Sequence, residues 1–122
     1  MTTMTSARHP ERTELLQGTL DMLILRTLLF GPAHGHEISR HIQQITDEVL
    51  KLEHGSLYPA LHRLERKGWV ASKWDTLGQQ KRECKYYQLT RDGRRQLVSA
   101  ESKWDRLRQA IGRVMTAAAR ES

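Results

Sequence analysis

Apolar residues recur at helical spacing in three successive stretches of the chain, and two β-rich runs follow them. The helical stretches are residues 14–30, 34–44 and 55–67, and the β-rich runs are WVASKW (69–74) and ECKYYQL (83–89). The pair Gly31–Pro32 ends the first helix, and Gly68 ends the third. Three helices followed by a two-stranded hairpin is the element order of a winged helix-turn-helix. We therefore expect a mainly α fold with a small β-hairpin.

The third helix, residues 55–67, has two chemically different sides. At about 100° per residue, Leu57, Leu61 and Leu64 fall on one stripe, which predicts that they are core residues. The opposite side carries Pro59, His62 and Arg66, flanked by Arg63 on one side and Tyr58 on the other. An ordinary surface helix with solvated arginines would show the same amphipathic pattern. The pattern alone therefore leaves both interpretations open.

Pro59 fits the start of this helix if Ser56 is the N-cap, because proline then lies in the first turn, where its amide would lack a partner anyway. Its flat ring could approach a thymine methyl group closely. The free amides at the helix start could also bind a phosphate oxygen. These features favour a helix side that meets nucleic acid.

The net charge of +6 is concentrated in one segment of the chain. Residues 62–95 contain ten Lys and Arg against four Asp and Glu, and the remaining residues contain ten of each sign. A solvated surface explains most isolated basic runs, but this confinement in a protein of pI 9.9 suggests a polyanionic partner. The candidate wing, residues 73–85, would rest its cations on a duplex backbone. Those cations are Lys73, Lys81, Arg82 and Lys85.

The last helix has the pattern of a dimerisation element. Thr90 can cap its start, and Asp92 lies near its positive end. Leu97, Ala100, Trp104, Leu107, Ile111, Val114 and Ala118 follow alternating steps of three and four residues, as in an a/d seam. A helix of about 27 residues would extend roughly 40 Å, farther than a small winged domain can cover. We expect a homodimer, although the seam could instead pack back on its own domain.

Several short motifs in the expected order resemble the PadR family of bacterial transcriptional regulators. They are QGTLDMLILRTL (17–28), GPAHGHEISRHI (31–42), GSLYPALHRLERKGWV (55–70) and KYYQLTRDGRRQL (85–97). The resemblance covers roughly residues 15–97. It implies a winged-helix DNA-binding domain, a homodimer joined through a C-terminal helix, and repression that a small effector usually relieves.

Carried onto this chain, the DNA contacts of that family fall on Ser56, Tyr58, Pro59, His62 and the basic wing residues. His36 stands where the family pattern HGYEI commonly has tyrosine. If this position contacts the phosphate backbone of DNA, the contact would be pH-sensitive because histidine changes charge near neutral pH. Trp104 could offer a flat face to an aromatic effector, with plain core packing as the alternative. The resulting organisation is a flexible tail (1–12), a DNA-binding domain (13–89) and a dimerisation helix (90–122).

Catalytic and metal-binding patterns are weak in this chain. His36 and His41 are five residues apart and diverge on a helix, so HGHEISRH does not form the zinc pattern with histidines four apart. Cys84 is the single cysteine and has no CxxC partner. The sequence contains neither a glycine-rich phosphate loop nor a nucleophile elbow. We expect no enzyme activity, no cofactor and no metal.

The sequence predicts a dimeric transcriptional repressor that binds an inverted-repeat operator, with recognition helices about 34 Å apart. The alternative is a winged-helix interaction module that grips an acidic protein. The chain has no long apolar span and no signal-peptide core, so we expect a cytoplasmic protein without a membrane partner.

Overall fold

The computed structural model describes residues 17–75 and 84–117, and within these ranges it has four helices and a three-stranded antiparallel sheet. In chain order the elements are α1 (Gln17–Leu28), β1 (Ala33–His34), α2 (Gly35–Ile45), α3 (His54–Arg66), β2 (Val70–Asp75), β3 (Cys84–Leu89) and α4 (Arg91–Ala117). The predicted mainly α, winged helix-turn-helix architecture with a long C-terminal helix is confirmed.

The core lies where the apolar sides of the helices meet one face of the sheet. Leu57, Leu61 and Leu64 of α3 are fully buried, as their spacing predicts. The other core residues are Leu20, Met22, Ile24, Leu25, Leu28, Ile38, Ile42, Ala60, Val70, Tyr87, Leu89 and Leu97. Every described element except the two-residue β1 contributes to this cluster. The leucine side of α3 therefore packs in the core, and its opposite side is exposed to solvent.

The sheet has the order β1-β3-β2, which adds a third strand to the predicted hairpin. β1 pairs with β3 through Ala33 opposite Tyr87 and His34 opposite Tyr86. Two residues are too few to show the alternation by which strands are recognised in a sequence. β2 and β3 pair along their whole lengths and form the arms of the wing.

Two helices end in the same hydrogen-bonding pattern. After α3, Gly68 has φ 79°, its amide bonds the carbonyl of Glu65, and the amide of Trp69 bonds that of Leu64. After α2, Asp47 has φ 56°, its amide bonds the carbonyl of Gln44, and the next amide bonds that of Gln43. Both are Schellman motifs, and the second uses aspartate where glycine is usual.

The start of α3 differs from the prediction. Glu53, not Ser56, is the N-cap, and its carbonyl accepts from the amides of Ser56 and Leu57 at 2.9 Å. Because the helix begins at His54, Pro59 lies beyond its first turn and cannot donate to the carbonyl of Gly55. The Ser56 assignment was wrong because serine is the more common cap, whereas Glu53 forms no side-chain capping bond here.

α4 begins as predicted and runs for 27 residues. The Thr90 hydroxyl accepts from the Gly93 amide at 3.0 Å and donates to the Gly68 carbonyl at 2.7 Å. Leu97 is only 3% exposed because it packs in the domain's own core, which corrects its assignment to the dimerisation seam. The other assigned seam residues are exposed: Trp104, Leu107, Ile111 and Val114. None of the helices in the described ranges combines the length and apolarity needed to cross a membrane.

Candidate nucleic-acid interface

The side of α3 opposite the leucine stripe faces solvent. Ser56, Pro59, His62 and Arg66 are exposed, whereas Leu57, Ala60, Leu61 and Leu64 are buried beneath them. The leucine stripe therefore holds the helix in the domain while three different chemistries project outward: an apolar ring, an imidazole and a guanidinium. This combination can contact both base edges and phosphates.

Tyr58 joins the start of α3 to the start of α2. Its ring packs edge-on against His54, with ring centroids 5.4 Å apart. A methyl group at Gly35 would come within 2.4 Å of the Tyr58 hydroxyl, so the tyrosine lies directly on the first turn of α2. Tyr58 is half-buried and is both a packing residue and a candidate contact.

His36 is exposed at the same end of α2. Its ring stacks on that of His34, with centroids 6.4 Å apart. His34 is fixed in turn, because its Nδ1 accepts from the Glu37 amide and its own amide donates to the Glu37 carboxylate, a capping box. The sequence assigns His36 to the interface. In the structure it stacks on the hydrogen-bonded His34, next to Gly35, against which Tyr58 packs.

Arg63 is turned away from the exposed side of α3. Its guanidinium donates to the Asp21 carboxylate of α1 at 2.6 Å, and its side chain is only 21% exposed. Its Nε is buried without a hydrogen-bond partner. We therefore treat Arg63 as a structural residue that joins α1 to α3, in contrast to the sequence-based assignment to DNA.

Glu65 connects α3 to the wing. Its carboxylate accepts from the Ser72 hydroxyl of β2 at 2.5 Å and lies 3.8 Å from the Lys85 ammonium of β3. Each arm of the wing is thus tied to the same side chain. The contact fixes the wing at a defined angle to α3.

The same acidic side chain affects the tyrosine at the centre of the sheet. Burial, and then the charge of Glu65 and the nearby Tyr58, raise the pKa of Tyr87 above its usual value of 10.0. Tyr87 therefore remains a neutral core residue at physiological pH.

The basic residues of the wing lie on two different faces of the sheet. Lys85 is opposite Trp74 and Lys73 is opposite Tyr86 in the β2–β3 register. Because side chains alternate along a strand, Lys85 and Trp74 share the face towards α3, whereas Lys73 and Tyr86 share the outer face. The other two predicted wing cations, Lys81 and Arg82, lie outside the described residues.

An open groove of about 730 Å³ is lined mainly by α1 and α4. Trp104, Met22 and Leu23 form part of its walls, and Arg26 faces Glu101 across it at 3.8 Å. The indole of Trp104 is 43% exposed, so it is not a plain core residue within one chain. Within the described ranges, no three His, Cys, Asp or Glu side chains are grouped as metal ligands would be.

Three further side chains of this region were not singled out from the sequence. Asp21 and Glu65 belong to amphipathic helices, in which an acidic residue is normally predicted to be solvent-exposed. Trp74 was read only as part of a β-rich run. An isolated tryptophan beside Lys73, in a strand short of other bulky residues, is the one signal that could have identified it.

Comparisons with known proteins agree with this geometry. A model of the transcriptional regulator PadR-like family matches residues 24–99. A transcriptional regulator from Clostridium thermocellum is 30% identical with a TM-score of 0.73, over 80% of this chain and 93% of that one. A PadR family transcriptional regulator from Eggerthella lenta is 34% identical with a TM-score of 0.67, over 81% of this chain and 83% of that one. An uncharacterized protein from Lysinibacillus sphaericus is 28% identical over 100 residues, 82% of this chain and 91% of the relative.

Proposed function

Because the chain belongs to the transcriptional regulator PadR-like family, whose members are DNA-binding regulators, we propose that it is a homodimeric repressor of an inverted-repeat operator. The observation that carries this proposal is the exposed side of α3, where Pro59, His62 and Arg66 project above a fully buried leucine stripe. α3 enters the major groove, and the wing rests on the neighbouring backbone.

The proposed contacts divide into two kinds. Pro59 and His62 lie at the middle of the exposed side of α3 and read base edges. Arg66, Lys73 and His36 meet phosphates, which supplies affinity with little base information. Lys85 reaches the backbone only in part, because Glu65 already engages its ammonium.

The homodimer forms through the second half of α4. Four side chains form an apolar stripe there, and each is at least 43% exposed: Trp104, Leu107, Ile111 and Val114. Burying that stripe against a second copy removes a large apolar surface from water. The two-fold axis then presents two copies of α3 to successive major grooves, about 34 Å apart.

A small aromatic effector that packs on Trp104 in the groove between α1 and α4 relieves repression. Support comes from the chemistry of the groove, which combines an exposed indole with the apolar side chains of Met22 and Leu23. A ligand at this position would alter the angle between α4 and the DNA-reading domain, because α1 packs on both.

Duplexes from the region upstream of the protein's own gene test this function. One upstream duplex should bind in the presence of excess competitor DNA, and its affinity should fall along a steep line when log K is plotted against log salt. If no upstream duplex outcompetes bulk DNA, the repressor proposal is wrong, and the interaction module that grips an acidic protein gains support.

Matched variants separate the two kinds of contact. Lys73→Ala should lower affinity by a similar factor on every sequence and reduce the salt slope by about one. His62→Ala should instead change base preference, with discrimination at one operator position reduced by roughly 1–3 kcal/mol. Titration of point-substituted operators measures both effects. Uniform losses from both variants would contradict the assigned roles.

A further inference from the structure

Trp74 is an exposed tryptophan on the wing that no contact assigned above uses. It is 61% exposed, although it belongs to a regular strand pairing, one pair before the end of the β2–β3 ladder. Trp74 stands opposite Lys85 and on the same face of the sheet as Ser72, whose hydroxyl bonds Glu65 of α3. The indole therefore lies on the side of the wing that looks towards the DNA-reading helix.

The ring is positioned by its neighbours. The Lys85 ammonium lies 5.9 Å from the centroid of the Trp74 ring, a cation–π contact, and 3.8 Å from the Glu65 carboxylate. Contacts therefore run from Glu65 of α3 through Lys85 to the indole, and the same ammonium also lies 5.5 Å from the centroid of the Tyr87 ring. Since β2 is an edge strand, the ring also borders the open groove along the outer side of the sheet, near Lys73 and Tyr86.

The surroundings of Trp74 fit a nucleic acid better than an apolar protein partner. Cations flank it on both faces of the wing: Lys85 towards α3 and Lys73 on the outer face, where Asp75 is the one described acid of the adjoining groove. The acid on the α3 side, Glu65, is already paired with Lys85 and Ser72. A DNA strand offers the apolar C–H faces of its deoxyribose groups between phosphates, which match an apolar indole ring between ammonium groups.

We propose that Trp74 is a DNA-contacting residue that packs its indole on the deoxyribose groups of the strand bordering the α3 groove. The inference rests on the proposed function and adds an apolar contact to the otherwise cationic wing. Removing an apolar contact releases no additional counterions, whereas removing a lysine–phosphate contact does. Trp74 and Lys73 therefore contribute to affinity in distinguishable ways.

Salt titration of operator binding distinguishes the two contributions. Trp74→Ala should weaken binding by about tenfold at every salt concentration, with the slope of the wild type. Trp74→Phe should retain most of the affinity because it keeps a flat ring. Lys73→Ala, the matched control on the same strand, should show a slope shallower by about one.

Tryptophan fluorescence gives an independent measurement. Operator DNA should change the emission of the wild type and of Trp69→Phe, and this change should be largely lost in Trp74→Phe. Circular dichroism of each variant verifies that the domain is folded.

The possible outcomes distinguish failure of the Trp74 contact from failure of the proposed repressor function. If the wild type binds the operator, and Trp74→Ala binds equally well with the fluorescence change intact in Trp74→Phe, the Trp74 contact is wrong and the repressor proposal stands. If the wild type binds no duplex specifically, the repressor proposal fails and the Trp74 contact fails with it.

Discussion

Asp21 and Arg63 meet at 2.6 Å with little access to water, whereas Asp105 and Arg108 meet at the same distance with their side chains about half exposed. Taking two charges out of water is costly, so each buried partner depends on the other. Asp21 is the one charged residue buried in the described ranges, at 8% exposure. The two pairs therefore provide an internal comparison of the same chemistry in two environments.

Asp21→Asn should destabilise the domain by roughly 2–4 kcal/mol, because it leaves the Arg63 guanidinium charged and poorly solvated. The matched control Asp105→Asn should cost less than about 1 kcal/mol, since water screens an exposed pair. Urea unfolding followed by circular dichroism measures both. Equal losses would mean that the Asp21–Arg63 contact behaves as a surface pair.

Arg63 also shows that a helical pattern does not identify the long-range partner of a side chain. Its partner is 42 residues away in the chain, so the periodicity of α3 could place Arg63 at the border of the exposed side but not detect the acid that captures it. The positions opposite the leucines, Pro59, His62 and Arg66, have no such partner in the described ranges and are exposed as the spacing predicts.

At the scale of elements, the two glycines of α4 occupy opposite environments. A methyl group at Gly93 would lie 2.1 Å from the backbone carbonyl oxygen of Trp69, whereas one at Gly112 would meet nothing within 4 Å. Gly93 thus lets the first turn of α4 pack closely against the connection between α3 and β2. Gly112 only adds flexibility to an exposed helix.

Gly93→Ala should destabilise the domain by about 1–3 kcal/mol or more, because the clash is with backbone that cannot rotate away. Gly112→Ala should stabilise it by about 0.5–1 kcal/mol through helix propensity. Thermal unfolding of the two variants beside the wild type tests the pair. A loss of stability in Gly112→Ala would indicate that α4 is distorted at that position in solution.

The ends of the elements were harder to predict than their centres. The left-handed residue after α3 is Gly68, the residue type by which helix ends are recognised in a sequence. The left-handed residue after α2 is Asp47, and an aspartate is equally common in loops of any kind. Glu53 caps α3 through its backbone alone, so no side-chain signal competes with Ser56. Termini depend on backbone geometry that several residue types can adopt.

At the scale of the whole molecule, α4 serves two environments along its length. Leu97 is buried in the domain, whereas Ile111 is 51% exposed although it continues the same stripe. The periodicity describes one continuous stripe and could not show where the domain's own surface ends. Among the described residues of α4, Leu97 and Ala100 belong to or pack against the core, and the groove between α1 and α4 extends to Leu107.

Ile111→Glu should convert a dimer to a monomer at micromolar concentration, because a carboxylate in a buried apolar seam has no partner. Thr116→Glu adds the same charge on the other side of the helix and should leave the dimer intact. Sedimentation velocity measures the mass of each variant. A wild type that sediments as a monomer, or a dimer that survives Ile111→Glu, would contradict assembly through this stripe.

The division of α4 has an evolutionary consequence. Residues 101–117 are exposed throughout, so substitutions there do not disturb the interior that holds α3 and the sheet in place. In the proposed homodimer, two copies of the gene can therefore diverge in this segment until each chain associates only with itself, while both keep the same α3 and wing. The proposed specificities of association and of DNA recognition would then evolve independently within a chain of 122 residues.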